Sequence, residues 1–221
     1  MDPFYDVTAA IALAMGAAWA SGINLYAAVL VLGLLGMTGN MVLPENLHVL
    51  MHPLVLGAAG IMYMVEFFAD KIPGVDTGWD TLHTFVRIPA GAVLAAGALG
   101  DVNPAIAVAA GILGGGLAAG SHALKAGTRM LINTSPEPVT NWTASVVEDV
   151  TVVGGLWIAL HYPWLFIALM VLFVLLLIWV LPKLWRGIKK IAGFIKKLFK
   201  YGKSDDGPDQ IAPPPSRITR V

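Results

Sequence analysis

Apolar residues fill six stretches of the chain, about 7–37, 53–70, 80–99, 104–131, 143–161 and 163–182, separated by short turns rich in Pro, Gly, Asn and Asp. A helix needs about 20 apolar residues to cross about 30 Å of hydrocarbon. The sixth stretch, Pro163 to Pro182, meets this without interruption. The second is the shortest and ends in Glu66-Phe67-Phe68-Ala69-Asp70, so a re-entrant segment is an alternative to a crossing there. The pattern predicts an all-α polytopic membrane protein with about six transmembrane helices over 1–182.

Composition supports lipid as the solvent. The chain of 221 residues is 57% hydrophobic and 13% charged, with a mean hydropathy of +0.74. Soluble domains carry about a quarter charged residues. There is no cysteine, which excludes disulfides and thiolate chemistry. The start, Met1-Asp2-Pro3-Phe4-Tyr5-Asp6, lacks a basic n-region, so the first stretch is expected to remain in the mature protein.

Positive charge is placed asymmetrically. Eight of the 14 Lys and Arg fall between Lys183 and Lys203, and the first 182 residues hold only Lys71, Arg87, Lys125 and Arg129. With six crossings, the turns 71–79 and 132–142 and both termini share one side, and every Lys and Arg lies there or at the helix ends nearest it. The opposite side carries Glu45, His48, His52, Asp101 and His161. The positive-inside rule makes the first side cytoplasmic, with both termini on it. Asn133-Thr134-Ser135 and Asn141-Trp142-Thr143 match the glycosylation pattern but fall on that same side. After Pro182, Leu184, Ile188, Ile191, Ile195, Leu198 and Phe199 keep helical spacing opposite Lys and Arg, predicting a basic amphipathic interfacial helix over 183–203 that anionic lipid would attract. Residues 204–221, with Pro213-Pro214-Pro215, read as a disordered cytoplasmic tail ending in Thr219-Arg220-Val221, a weak match to a ligand for a strand-addition domain.

Two internal repeats compete. A shift of 63 overlays Pro73 on Pro136, Thr77 on Thr140 and Trp79 on Trp142, making two hairpins with inverted charges, Glu66 falling on Arg129 and Phe85-Val86-Arg87 on Glu148-Asp149-Val150. A shift of 98 places Gly16 on Gly114, Gly22 on Gly120 and Asn24 on His122. Interrupted helices in corresponding positions of two halves point to a transporter site. Small-residue packing produces the same glycines without one.

Charge inside an apolar stretch is expensive and marks a pathway, a site or a buried pair. Measured from Trp79 and Trp142, taken as interface anchors, Arg87 and Asp149 lie roughly 12 and 10 Å deep. Arg129 is near enough to the surface to snorkel, and Lys125 is ambiguous. His122, Lys125 and Arg129 share one helix face, as do Asp80, His83 and Arg87, and Glu66 and Asp70. One reading is a set of structural ion pairs, Glu66 with Arg129 and Arg87 with Glu148 or Asp149. The other is a charged cavity open to the cytoplasm, with Asn24, Glu66, Asp70, His83, Arg87, His122, Lys125, Arg129, Glu148 and Asp149 along the pathway. Carboxylates and His would then exchange protons, and Arg87, Lys125 and Arg129 would attract an anionic small molecule or lipid head group. Glu45, His48 and His52 have a spacing compatible with metal ligation but lie in a short polar turn where ordinary interfacial polarity explains them. Enzymatic motifs are thin: there is no Ser-His-Asp spacing and no phosphate loop, and nothing calls for a cofactor or a nucleic acid. Self-association is compatible with the sequence.

The run Gly120-Ser121-His122-Ala123-Leu124-Lys125-Ala126-Gly127-Thr128-Arg129, followed by Asn133-Thr134-Ser135-Pro136-Glu137-Pro138 and Glu148-Asp149, resembles the bacterial membrane family called domain of unknown function 4126. Ser21-Gly22-Ile23-Asn24-Leu25-Tyr26 and Glu66-Phe67-Phe68-Ala69-Asp70-Lys71-Ile72-Pro73 fit it as well, over about residues 8–165. The resemblance implies a multi-pass protein of the bacterial inner membrane and transfers no activity. The leading expectation is a small transporter or flippase-like module. The competing one is a non-catalytic membrane scaffold or assembly protein whose charges only pair.

Overall fold

Proline opens five of the six long helices, at the position where its missing N–H costs nothing. The computed structural model describes residues 3–72, 74–134 and 138–202. The elements are α1 (Pro3–Met37), a 3-10 helix (Glu45–Met51), α2 (Pro53–Ala69), α3 (Val75–Ala98), α4 (Pro104–Ile132), α5 (Pro138–His161) and α6 (Pro163–Gly202). Side chains close two of the starts: Asn103 Oδ1 accepts from Ala105 N at 2.9 Å, and His52 Nδ1 accepts from Leu54 N at 3.2 Å. The expected all-helical class is found, with no strand among the described residues.

By length and composition four helices suffice to cross a membrane: α1, α4, α5 and α6. The 17-residue α2 reaches that measure only together with the 3-10 helix before it, across a 63° bend. The buried face of α3 holds Asp76, Asp80, His83 and Arg87. Six crossings are thus supported only in part.

Helix α1 is not straight. Asn24 has φ −146° and ψ 97°, outside helical geometry. Its Oδ1 accepts from Ala27 N at 3.0 Å, so it acts as the N-cap of a second arm. Contacts on the two sides of this break run in opposite directions. Before it, Gly16 faces Ala159, Gly155 meets Trp19, and Gly22 lies against Ala118 and Ser121. After it, Tyr26 reaches His83, Gly33 meets Leu50 and Leu56, and Gly36 meets Leu43 and Met51. Ala9, Ala10 and Leu13 of the first arm line one 640 Å³ cavity with Leu35, Met41, Ala98 and His161. In a continuous helix Ala9 and Leu35 would stand about 39 Å apart. The helix therefore enters the bundle, turns at Asn24 and returns to the end it came from, with the cavity in the mouth of the V. The straight first helix expected over 7–37 is corrected to a hairpin bent at Asn24. The start of α1 lies at the His161 end of the bundle, opposite Asn133 and the later part of α6.

The V is the centre of the fold. Its arms touch every other long helix, and Ala12, Ala17, Ala18, Ala20, Ala28 and Leu32 are wholly buried. Small residues allow the close approach. A Cβ on Gly22 would collide with Ser121 and the Ala118 carbonyl, and one on Gly91 would meet Ala118 Cβ at 2.5 Å. Trp19 fills the wider gap on the other flank, edge-on to Phe166 and Phe173 with ring centroids 6.2 Å away in each case.

Helix α6 runs through Pro182 without ending. A proline removes one helical hydrogen bond, which alone does not end a helix with neighbours to lean on. Leu184 packs against Gly127, and Leu131 lies 3.6 Å from a Cβ built on Gly187. The beginning of the basic segment is thus docked on α4. The separate interfacial helix expected from 183 is corrected to a continuation of α6, and the side chains of Ile191, Ile195, Leu198 and Phe199 lie outside the description. So do the overlay of Pro73 on Pro136 and everything expected of 204–221. The break at Asn24 has no recorded counterpart in α4, so the shift of 98 pairs a broken helix with an unbroken one.

Candidate functional site

Four helices each turn one polar face toward a common interior, as the helical spacing predicts. On α2 this face holds Tyr63, Glu66 and Asp70. On α3 it holds Asp80, His83, Thr84 and Arg87, on α4 Ser121, His122, Lys125 and Arg129, and on α5 Asn141, Ser145, Glu148 and Asp149. Glu66, Arg87 and Arg129 are 0% exposed, so the expectation that Arg129 snorkels to the surface is wrong. Its Nη1 donates to the carbonyls of Asp70 and Asn141 at 3.0 and 3.2 Å, which closes it in.

The pairing differs from the expected one. Arg87 Nη2 lies 2.7 Å from Glu66 Oε1, and Nη1 lies 2.8 Å from Asp80 Oδ1. Arg129 grips Glu148 with two parallel bonds, Nε to Oε1 at 3.0 Å and Nη2 to Oε2 at 2.8 Å. Glu66 therefore pairs with Arg87, not with Arg129, and Arg87 pairs with neither Glu148 nor Asp149. Each hairpin carries its own buried pair, in opposite order along the chain: Glu then Arg in α2–α3, Arg then Glu in α4–α5. Lys125 joins them. Its Nζ lies 3.0 Å from Asp70, 3.2 Å from Glu66, 3.4 Å from Glu148 and 3.6 Å from Asp80.

The charges in this network do not balance. Four carboxylates (Glu66, Asp70, Asp80, Glu148) are joined to three cations (Arg87, Lys125, Arg129). Three buried carboxylate oxygens, Glu66 Oε2, Asp70 Oδ1 and Asp80 Oδ2, have no hydrogen-bond partner among the described residues. Arg87, Lys125 and Arg129 are each engaged by carboxylates.

The histidines are held in defined roles. Arg87 Nη1 is a donor only, so at 3.1 Å it requires an acceptor at His122 Nδ1. His122 Nε2–H then donates to Thr84 Oγ1 at 2.7 Å, and Thr84 donates on to the Asp80 carbonyl at 3.0 Å. That chain assigns His122 as neutral. His83 lies off the ion-pair network, with Nδ1 2.9 Å from the Trp79 carbonyl, Nε2 3.0 Å from the Tyr26 hydroxyl, and its ring stacked on Trp79 at 4.2 Å.

Asn24 and Asp149 form the link to the hairpin. Asn24 Nδ2 donates to Asp149 Oδ1 at 3.0 Å, and the Tyr63 hydroxyl donates to Oδ2 at 3.0 Å. Ser21 Oγ to the Arg87 carbonyl and Ser121 Oγ to the Trp19 carbonyl, both 2.9 Å, pin the first arm to α3 and α4. At the turn end, Lys71 Nζ donates to the Phe67 carbonyl at 2.9 Å and lies over the Phe67 ring. Burial lowers this ammonium below its ordinary range, against the pull of Asp149 and Asp70. Below it Asp76 accepts from Asn133 Nδ2 at 2.8 Å, tying the two hairpin turns together, and Asn141 Nδ2 bonds Asn133 Oδ1 at 3.0 Å. Asn141 is fully buried and no glycan acceptor as it stands.

A cavity of 220 Å³ reaches Lys125 and Glu148 between α4 and α5, past Thr128, Val147 and Thr151, with Ile23 and Phe173 behind. Glu45, His48 and His52 lie at the opposite end. His48 Nε2 is committed to the Leu43 carbonyl at 2.9 Å and His52 caps α2, and no group of three metal-binding side chains converges among the described residues.

All ten pathway candidates thus gather in one region, with His83 at its margin. Asp80, Tyr63, Tyr26 and Thr84 belong to it and were not among them. A family model described as Domain of unknown function (DUF4126) matches residues 11–183. Neither a curated protein nor a solved structure matches the chain.

Proposed function

Because the chain belongs to the domain of unknown function 4126 family, which brings no activity with it, we propose from the geometry that it is a small membrane transport module worked by its broken helix. The observation that carries this is the position of Asn24. A non-helical residue in the middle of an apolar segment is tolerated only where protein covers it or it lines a cavity. Here it sits against a buried charge set with more carboxylates than cations. Half-helices meeting charge at mid-depth are the architecture of secondary transporters. A structure that needed its charges only for register would be expected to balance them, since an uncompensated buried carboxylate costs several kcal/mol. The positive-inside rule places the Lys71 and Asn133 end in the cytoplasm whether α1 crosses or returns, because the first 70 residues contain no Lys or Arg. A bacterial inner membrane is the setting this reading assumes.

The scaffold reading draws on one observation of its own: eight close ion-pair contacts tie α2, α3, α4 and α5 together. Accessibility separates the two. With no natural cysteine, Thr151→Cys and Thr128→Cys can be labelled in sealed vesicles by an impermeant maleimide added to either side. A transport module gives labelling that shifts between sides or depths when a pH gradient is imposed. An unchanging pattern under every gradient supports the scaffold and overturns the transport reading.

A further inference from the structure

We infer that Asp149 is a proton-binding site of this membrane centre and that the tip of the re-entrant hairpin at Asn24 responds to its occupancy. The inference rests on the transport reading for its consequence, while the site itself is argued from geometry. Asp149 has no Lys, Arg or His within 4 Å among the described residues, unlike the other four carboxylates of the centre. Its two oxygens accept from neutral donors only, Asn24 Nδ2 and the Tyr63 hydroxyl, at 3.0 Å each. The charged and titratable groups facing it are Tyr63 and Glu66 of α2, Lys71 in the turn that follows, Lys125 of α4 and its own neighbour Glu148. Lys125 is already shared among four carboxylates, and Lys71 donates to a backbone carbonyl. A carboxylate so placed sheds its charge by taking a proton more cheaply than by waiting for a counter-ion. Asp149 is half-buried, which leaves a path for exchange.

The donors decide where the proton goes. Asn24 Oδ1 is committed to Ala27 N, which fixes the amide so that Nδ2, a donor without a lone pair, faces Asp149. A proton on Oδ1 would set donor against donor. A hydroxyl both donates and accepts, so the Tyr63 oxygen can reverse its role and accept from a proton on Oδ2. One O–H bond forms on Oδ2, the Tyr63 bond inverts, and the Asn24 bond loses its charge assistance, roughly halving its strength. That weakens the side-chain bond that ties the tip to α5.

Infrared difference spectra of the full chain in proteoliposomes across a pH series read this directly. The wild type should show a protonated-carboxyl carbonyl band that titrates, and Asp149→Asn should lose it. Tyr63→Phe keeps the carboxyl but removes its partner, so it should shift the band's frequency, which guards against misfolding of the first variant. Spin labels at Ala10→Cys and Leu35→Cys, across the mouth of the V, should change separation with pH in the wild type and not in Asp149→Asn. A titrating band that survives in Asp149→Asn, or one indifferent to Tyr63→Phe, overturns the site. Maleimide labelling that shifts between sides while the band is absent would leave the transport reading standing without it.

Discussion

Asn24 and Asp149, 125 positions apart, are joined by a 3.0 Å hydrogen bond from Nδ2 to Oδ1, while Asn24 Oδ1 caps the helix arm that begins beside it. One side chain thus both makes the break in α1 and fastens it to α5. Asn24→Ala removes the cap and orphans a carboxylate oxygen, together a loss of about 1–3 kcal/mol. Thermal unfolding in detergent should show the drop. Asn24→Asp keeps the cap but faces Asp149 with a like charge, so its melting temperature should recover as pH falls.

The revised pairing is testable by double-mutant cycles. Arg87→Met leaves Glu66 and Asp80 with Lys125 as their one shared cation and should cost about 3–5 kcal/mol, part of which Glu66→Gln restores. Coupling between Arg129 and Glu148, which share two bonds, should be about 1–3 kcal/mol. Coupling between Arg129 and Glu66, the pair that sequence alone favours, should fall well below it.

Close packing at the hairpin makes two glycines unequal. Gly22→Ala pushes into Ser121 and the Ala118 backbone, whereas Gly116 has nothing within 4 Å. Overpacking of this kind costs about 1–3 kcal/mol or more. Yield of folded protein by size-exclusion chromatography should collapse for Gly22→Ala and hold for Gly116→Ala.

Much of this was legible in the sequence, and the failures share a cause. The stretches 104–131 and 143–161 fall within α4 and α5 because proline and polar turns bound them. The inward faces followed from helical spacing, which specifies a face but not a partner. Hence the spacing gathers Glu66 into the site but pairs it with Arg129, where the structure pairs it with Arg87. Tyr63 lies three residues before Glu66 and seven before Asp70, so the same spacing could have found it. Asp80 was on the recognised stripe of His83 and Arg87. Depth counted along α4 alone puts Arg129 near the surface, whereas the Asp70 and Asn141 carbonyls and the Glu148 carboxylate close it in. The turn in α1 left no charge or proline to read, only Gly22 and Asn24 in apolar sequence. A periodic apolar pattern looks the same whether a helix continues or folds back.

Sidedness follows from the V. Asp6→Cys lies at one end of the bundle and Thr134→Cys at the other. In sealed right-side-out vesicles an impermeant thiol reagent should reach Asp6→Cys from outside and Thr134→Cys only after permeabilisation. Labelling of both from one side would restore a crossing by α1.

The most direct measurement joins the two arms. In Ala10→Cys/Leu35→Cys, added to a chain with no other cysteine, a short bifunctional thiol reagent applied to native membranes should close an intramolecular link. That link would be read as a single intact mass increment in the monomer. A continuous helix would hold these residues about 38 Å apart. Two independently labelled thiols and no link would show that α1 does not fold back, and with it would fall the placing of Asn24 at the charge centre.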